Sequence, residues 1–491
     1  MQSPFNMLKY LWSSLIILFV PIVVNAQFNG SMLNEYQYGN IPSDESGDFN
    51  SIYTRALLDY QYKDFRLSTG LQLYQTPYQE RNYVNLSSAQ LNYQTEKISV
   101  NVGNYQEVLG KGLLLRNYQI PNAVIEDLGF RSKQYFYTDI LGASATLQLK
   151  NMTIKGLWGY SLNNLYPPTE SWEQRRYDEL AGAETHFNIK DQRIGVSFLS
   201  VNNELEESYY GMLHSGGSFL NYFSYYVGYA SYLGGKGKDD LKGDSYAAYG
   251  SLNAYINSFG LSLEYKNYKN FLLGAGVNEP PALVKEHSYK LLNRSTHVLQ
   301  PTNETGIQLE VFYNLNLFST ITANYTLANN DFGEDLTYQE WFLEYSGSVF
   351  SNTDLKVFVD FAQDPFKGEE DRISIGSSID QSLGTSFGVV FDIEGQDFTR
   401  YEESVNNFYS GLTFRYKSKL FLGLQGEYST DSFVTEDSKY WIGGNIQYKP
   451  HNKHTFNVFV GERRGGPACS AGICYEVLDF RGVEVRWAAR L

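Results

Sequence analysis

At the end of the chain Val483, Val485, Trp487, Ala489 and Leu491 alternate with Gly482, Glu484, Arg486, Ala488 and Arg490. A β-strand sends successive side chains to opposite faces, so this stretch has one apolar face and one that carries three charges. Such a strand suits a wall between hydrocarbon and a watery lumen. No stretch after residue 26 approaches the about 18 apolar residues that a membrane helix needs. A chain that enters lipid without helices must close its backbone hydrogen bonds in a ring of strands. The expected fold is therefore all-β: a single transmembrane antiparallel β-barrel, with an even strand number of roughly 20 to 24, closed by the terminal strand.

Residues 1–26 read as a secretory signal. Lys9 supplies the positive charge, Leu11 to Val24 the apolar run, and Val24-Asn25-Ala26 the small-residue cleavage site. The run is too short for a membrane anchor and contains Pro21. No Cys follows Ala26, which argues against a lipid-anchored start. Residues 27–491 contain no Pro-rich or Gly/Ser-rich linker, so one barrel domain is expected. Its 41 Tyr, 31 Phe and 6 Trp favour strands and can supply the aromatic girdles of a membrane barrel. The formal charge of −15 argues against a nucleic-acid partner, which needs clustered Lys and Arg.

From Ser31 onward, segments of about ten residues are joined alternately by tight and by longer polar connections, as in barrels with short periplasmic turns and long external loops. The tight set includes Lys63-Asp64, Thr95-Glu96, Lys150-Asn151, Lys190-Asp191, Asn257-Ser258, Asn352-Thr353, Asp380-Gln381, Lys417-Ser418 and Pro450-His451-Asn452. Long connections are expected at 75–83, 161–178, 233–245, 270–303, 364–369, 394–404, 430–437 and 464–478. Segments 31–40 and 209–220 are weaker strands. Lys356–Phe361 and Phe456–Val460 are apolar on both faces, where a plug or a neighbouring subunit would pack.

The most unusual interior stretch runs from Gly103-Asn104-Tyr105 through Gly110-Lys111-Gly112-Leu113-Leu114-Leu115-Arg116 to Gln134. Gly110-Lys111-Gly112 is not a phosphate loop, because no Ser or Thr follows the Lys at a helix start. Two readings stand: an ordinary external loop, or a loop folded into the lumen with Lys111, Arg116, Glu126, Asp127 and Arg131 at a constriction. Candidate lumenal charges are Asp360, Glu427, Glu484, Arg486 and Arg490, which would pair with one another and with Arg463, Arg464 and Arg481. The acidic runs Glu204-Leu205-Glu206-Glu207, Asp239-Asp240, Glu369-Glu370-Asp371 and Glu402-Glu403 are expected in solvated external loops.

Those two stretches, together with Arg463-Arg464-Gly465-Gly466-Pro467-Ala468-Cys469 through Cys474-Tyr475-Glu476-Val477, resemble an uncharacterised family of Bacteroidota outer-membrane β-barrel proteins. The resemblance implies a fold and a location in the cell outer membrane. It carries no substrate and no catalytic residue.

Cys469 and Cys474 are the only cysteines, and in an exported protein a disulfide closing the last long loop is the expected state. A free-thiol assay on unreduced protein should find none; two reactive thiols per chain would contradict the pairing. Without two further ligands nearby the pair cannot complete a structural zinc site. Enzyme signatures are poor. Gly384-Thr385-Ser386-Phe387-Gly388 has nucleophile-elbow spacing but no strand-to-helix context. His451 and His454 flank a turn, and His186, His214, His287 and His297 are scattered. No catalytic residue, metal or cofactor is assigned.

The expected function is porin-like transport of small solutes. The alternative is a non-conducting accessory barrel of an outer-membrane secretion or assembly complex. Expected partners are outer-membrane lipid and lipopolysaccharide, and in the second case other outer-membrane proteins or lipoproteins.

Overall fold

The structure is a computed structural model that describes residues 27–42, 49–126, 132–164, 166–170, 174–203, 206–236, 243–300, 302–331, 335–434, 439–470 and 473–491. Residues 1–26, where a signal segment is expected, lie outside the described residues, as do Asp127 and Arg131.

Twenty-four antiparallel strands form one sheet. It closes where the first strand, Gln27–Asn40, meets the last, Phe480–Arg490, in register from Ser31↔Arg490 to Asn40↔Arg481. Closure leaves no unpaired sheet edge between first and last strand, which is what allows a sheet to sit in lipid. The even count lies within the expected range, and both weaker segments are strands, Gln27–Asn40 and Glu207–Phe219.

The alternation read from the terminal segment is present in space. Val485 is exposed on the outer surface, while Glu484 on the next position is buried inside. Leu213, Trp341, Ile375, Leu424, Ile442 and Val460 continue the outward apolar surface around the ring. In water such a belt would be a large exposed apolar patch, and in hydrocarbon it is the favoured surface.

Tight turns and longer connections take turns along the chain with two corrections. Asp380-Gln381 lies inside the strand Glu369–Leu383, and the turn falls at 384–386. The elbow-like Gly384-Thr385-Ser386 is thus a hairpin turn, with Gly384 at φ 69°. The supposed long connection 394–404 is a two-residue turn at Tyr401 and Glu402 between Phe387–Arg400 and Glu403–Tyr416. Both errors share a cause: Asp380, Glu394 and Gln396 point into the lumen, where polar side chains belong, and inward polarity reads as loop in one dimension.

Burial is uneven along the strands. In Thr353–Asp364 the buried inner positions, Phe358, Asp360, Ala362 and Asp364, lie toward the long-connection end. In Glu369–Leu383 they are Glu369, Arg372 and Ser374, again near that end. The inner wall near the tight turns is not covered in this way. The lumen is therefore filled in the half next to the long connections and open, as a vestibule, in the other half.

Candidate functional site: a lumen filled by its own loops

Among the described residues, three connections enter the barrel: 106–126 with 132–139, 270–300 with 302, and 464–470 with 473–479. In the strand Ile98–Tyr105 that leads into the first, the φ of 101° at Gly103 and its approach to the Ala89 carbonyl, 2.0 Å from where a Cβ would sit, require glycine. A small hairpin follows, with Val108–Leu109 paired to Leu115–Arg116. Its turn is Gly110-Lys111-Gly112, with φ of 59°, 54° and 93°. This explains the Gly-Lys-Gly sequence as a left-handed turn that carries a Leu-rich tip.

Leu109, Leu113, Leu114 and Leu115 are fully buried. They pack with Phe271, Val277 and Leu283 of the second loop against Leu180, Leu199, Tyr210, Met212 and Tyr249 of the wall. Each buried leucine stabilises this arrangement by about 1.5–3 kcal/mol relative to exposure. The two loops are also tied together by backbone groups. Arg116 N–H donates to the Val277 carbonyl at 2.9 Å, Asn117 Nδ2 to the Gly276 carbonyl at 3.0 Å, and Asn278 Nδ2 to the Leu113 carbonyl at 3.2 Å.

The rest of the first loop forms a second hairpin, Gln119–Glu126 with Lys133–Tyr137, held across the closing seam of the barrel. Lys133 Nζ lies 2.6 Å from both Glu35 Oε1 and Gln37 Oε1 of the first strand. Glu35 also accepts from Arg486 Nε of the last strand at 2.9 Å. The Arg55 guanidinium stacks 3.2 Å above the centre of the Tyr135 ring. The external-loop reading is corrected here: buried Ile120, Ile125 and Phe136 put this segment inside.

The second loop crosses to the opposite wall by polar contacts. Lys285 pairs with Glu310. His287 Nε2 lies 3.0 Å from Glu340 Oε1, and the Tyr289 hydroxyl donates to Glu344. The short helix α1, Lys290–Arg294, begins on Glu394, whose two oxygens accept the Lys290 and Leu291 amides at 2.8 and 2.7 Å. A carboxylate there satisfies otherwise orphaned N–H groups. Arg294 pairs with Glu427. Arg372 donates to the Ser295 carbonyl at 3.2 Å and to Glu369 at 2.8 Å. His297 Nδ1 lies 3.0 Å from Asp364 Oδ2. Burial works against a charge on His297, but Asp364 and Glu304 outweigh it and hold the imidazole above its usual range.

The candidate residues distribute as follows. Lys111 is exposed, with its ammonium 4.7 Å from the Tyr226 ring centre, and Arg116 is half-buried. Glu126 lies 3.8 Å from Lys133. Asp360, Glu427, Glu484 and Arg486 all face inward, with Asp360 3.5 Å from Arg372 and Glu484 2.9 Å from Arg463. Arg464 lies 3.3 Å from Glu427. Arg490 is exposed at the end of its strand and joins none of the buried ion pairs among the described residues. Glu369, placed by sequence in a solvated run, is buried between Arg372 and Arg400, because it opens the strand Glu369–Leu383 with its side chain turned into the lumen. Glu204, Asp239 and Asp240 lie outside the described residues. Backbone register sets Cys469 opposite Cys474 in the hairpin of the third loop, and their side chains lie outside the described residues.

Sequence missed the histidines. His186 and His214 flank Gly195 in the register of three strands and close over it, ring centres 4.9 Å apart, beside Glu184. His287, Glu340 and Asp360 form a second buried group. In each, the ligand atoms lie within 4.8 Å of one another, a donor set suited to a transition-metal ion. The only one-dimensional signal was the glycine opposite both imidazoles, visible once strands are paired.

These features define a class: a large closed β-barrel filled by its own inward loops in the half next to its long connections. The chain belongs to the family of unknown function DUF6029, whose model matches residues 21–364. No curated protein matches it. Among solved structures, it is similar to the E. coli P pilus tip assembly intermediate PapC-PapD-PapK-PapG, at TM-score 0.52 and 9% identity over 96% of this chain and 62% of that one. The P pilus usher (PapC) translocation pore aligns at TM-score 0.48 and 11% identity, over 95% of this chain and 99% of that chain. The siderophore receptor PirA from Pseudomonas aeruginosa aligns at 0.45 and 9%, over 95% and 80%. At these identities the likeness is one of fold.

Proposed function

We propose that this protein is an outer-membrane transport barrel, closed at rest by its own loops. The observation that carries the reading is the asymmetric attachment of the second loop. Residues 271–283 sit in the large apolar core with the first loop, whereas residues 285–297 are held to the far wall by carboxylates, guanidiniums and imidazoles around a small apolar cluster of Tyr289, Leu292, Phe342 and Phe358. Each of these contacts joins a group of the loop to a group of the wall, and when the loop lifts as a unit water can take over both partners, so this half is the part that can leave the wall and open a path. The open vestibule on the tight-turn side gives such a path an exit. A wide polar-walled barrel filled by loops is the arrangement of gated rather than passive conduits.

A second reading, a non-conducting accessory barrel, is favoured by the same filled lumen. It would have protein partners, as the usher in the pilus assembly intermediate does. Reconstitution of the singly purified protein separates the two. Transport predicts few openings in planar bilayers at rest and stepwise conductance under moderate urea that disappears on washing. Silence under urea with the barrel intact, together with a stoichiometric co-purifying outer-membrane protein, would favour the accessory role.

A further inference from the structure

The barrel wall has a notch. Ile98–Tyr105 and Ile140–Gln148, of eight and nine residues, lie between Tyr83–Gln94 with twelve and Met152–Leu162 with eleven. A transmembrane strand needs about 9–11 residues, so the two short strands barely reach across the hydrocarbon. Tyr83–Gln94 pairs with Ile98–Tyr105 only from Gln90↔Gly103 to Gln94↔Ser99. Residues 83–89 therefore face the notch without a partner strand on that side.

A cavity of about 550 Å³ occupies the notch, within the usual range for small-molecule sites. Part of its lining is outward: Leu86, Leu141 and Tyr160 are 59%, 43% and 36% exposed on the outer surface. The rest comes from the inner side of the neighbouring strands, the inward loop and the neighbouring connection; Asp139 and Arg175 are its charged groups, beside polar side chains that include Asn85, Asn104, Gln134 and Asn164. Arg175 Nε is buried without a hydrogen-bond partner among the described residues. Burial pushes the Asp139 carboxyl up to about 7, against a hydrogen bond from Asn104 and the charge of Arg175. A carboxyl that is partly protonated near neutral pH leaves the guanidinium as the stronger charge in the cavity.

We propose that this notch is a lateral portal that binds a single-chain anionic amphiphile, a long-chain carboxylate. Its head group bonds to Arg175 and Asp139, and its acyl chain lies along Leu86, Leu141 and Tyr160. The apolar half of the lining opens toward lipid and the polar half toward the interior, so an amphiphile matches both. One acyl chain fits the cavity, whereas the several chains of lipid A do not. The proposal rests on the barrel standing in a membrane as proposed above, and it makes that conduit accessible from the lipid side.

The test uses the full-length protein in nanodiscs with a photoactivatable palmitate probe and peptide mapping of the crosslinks. The expected result is labelling at residues 83–89, 137–141 and 158–177, lowered roughly tenfold by Arg175→Ala and by Leu86→Trp, which narrows the mouth from the exposed face without touching Arg175. Excess palmitate should compete, and palmityl alcohol should compete weakly. Labelling spread evenly over the apolar belt, or unchanged in both variants, would overturn the portal. Competition by phosphatidylglycerol but not palmitate would overturn the carboxylate assignment. Failure of the unlabelled protein to enter nanodiscs at all would instead overturn the membrane-barrel reading.

Discussion

Replacing residues 285–297 by a flexible Gly/Ser segment of equal length is expected to raise single-channel conductance roughly tenfold or more over the intact protein. The segment removed spans from Lys285 on Glu310 to His297 on Asp364 and includes α1 with its Glu394 and Glu427 attachments. It accounts for the covering of the wall from Asn303–Asn316 to Leu420–Ser429, about a third of the ring. The apolar half of the plug is untouched, because Leu113, Leu114, Phe271 and Val277 pack without it. The outcome should therefore be a partly opened barrel that is still folded, visible as a heat-modifiable band in unboiled gels. Unchanged conductance in a folded variant would mean that the charged half of the loop does not close the path.

Arg372→Ala is expected to destabilise the folded protein by about 3–5 kcal/mol, read as a shift of the urea midpoint in detergent micelles or liposomes. Arg372 is fully buried and stands among Glu369, Glu340 and Asp360 at 2.8, 3.7 and 3.5 Å. It also holds the second loop through the Ser295 carbonyl. Truncation takes the shared guanidinium from three carboxylates, leaving Glu369 with Arg400 alone and Asp360 with no ion-pair partner among the described residues, and a like-charge cluster in a water-poor lumen is costly. Arg372→Lys keeps the charge but loses the planar fork, so it should recover only part of the loss. A midpoint that moves by less than the error of the measurement would show that this network contributes little to holding loop and wall together.

The architecture was legible because one rule, alternation, acts on every strand. Val483 to Leu491 show it at the closing seam, and the 420–429 strand shows it again with Leu422 and Leu424 outward. The doubly apolar Lys356–Phe361 and Phe456–Val460 were also informative. Phe358 turns inward onto Tyr289 and Phe459 inward onto Phe480, so their second apolar face meets plug and wall rather than a second subunit. What stayed hidden was whatever depends on two distant segments meeting in the lumen. Nothing in the sequence near Glu35 announces Lys133, and nothing near Glu427 announces Arg294. Inward polar residues such as Asp380, Glu394 and Glu369 were misread for a related reason. In a barrel the lumen is a second polar surface, and a single sequence does not distinguish it from the first.

The barrel combines strands that bear an oily belt outside with inward loops packed inside. Hydrogen–deuterium exchange of the full-length protein in nanodiscs reads both at once. Slow exchange is predicted for residues 109–116 and 287–296 as well as for strands such as Leu420–Ser429, since all are buried or hydrogen-bonded. Exchange of 109–116 and 287–296 as fast as that of an unfolded peptide, with the strands protected, would contradict the filled lumen.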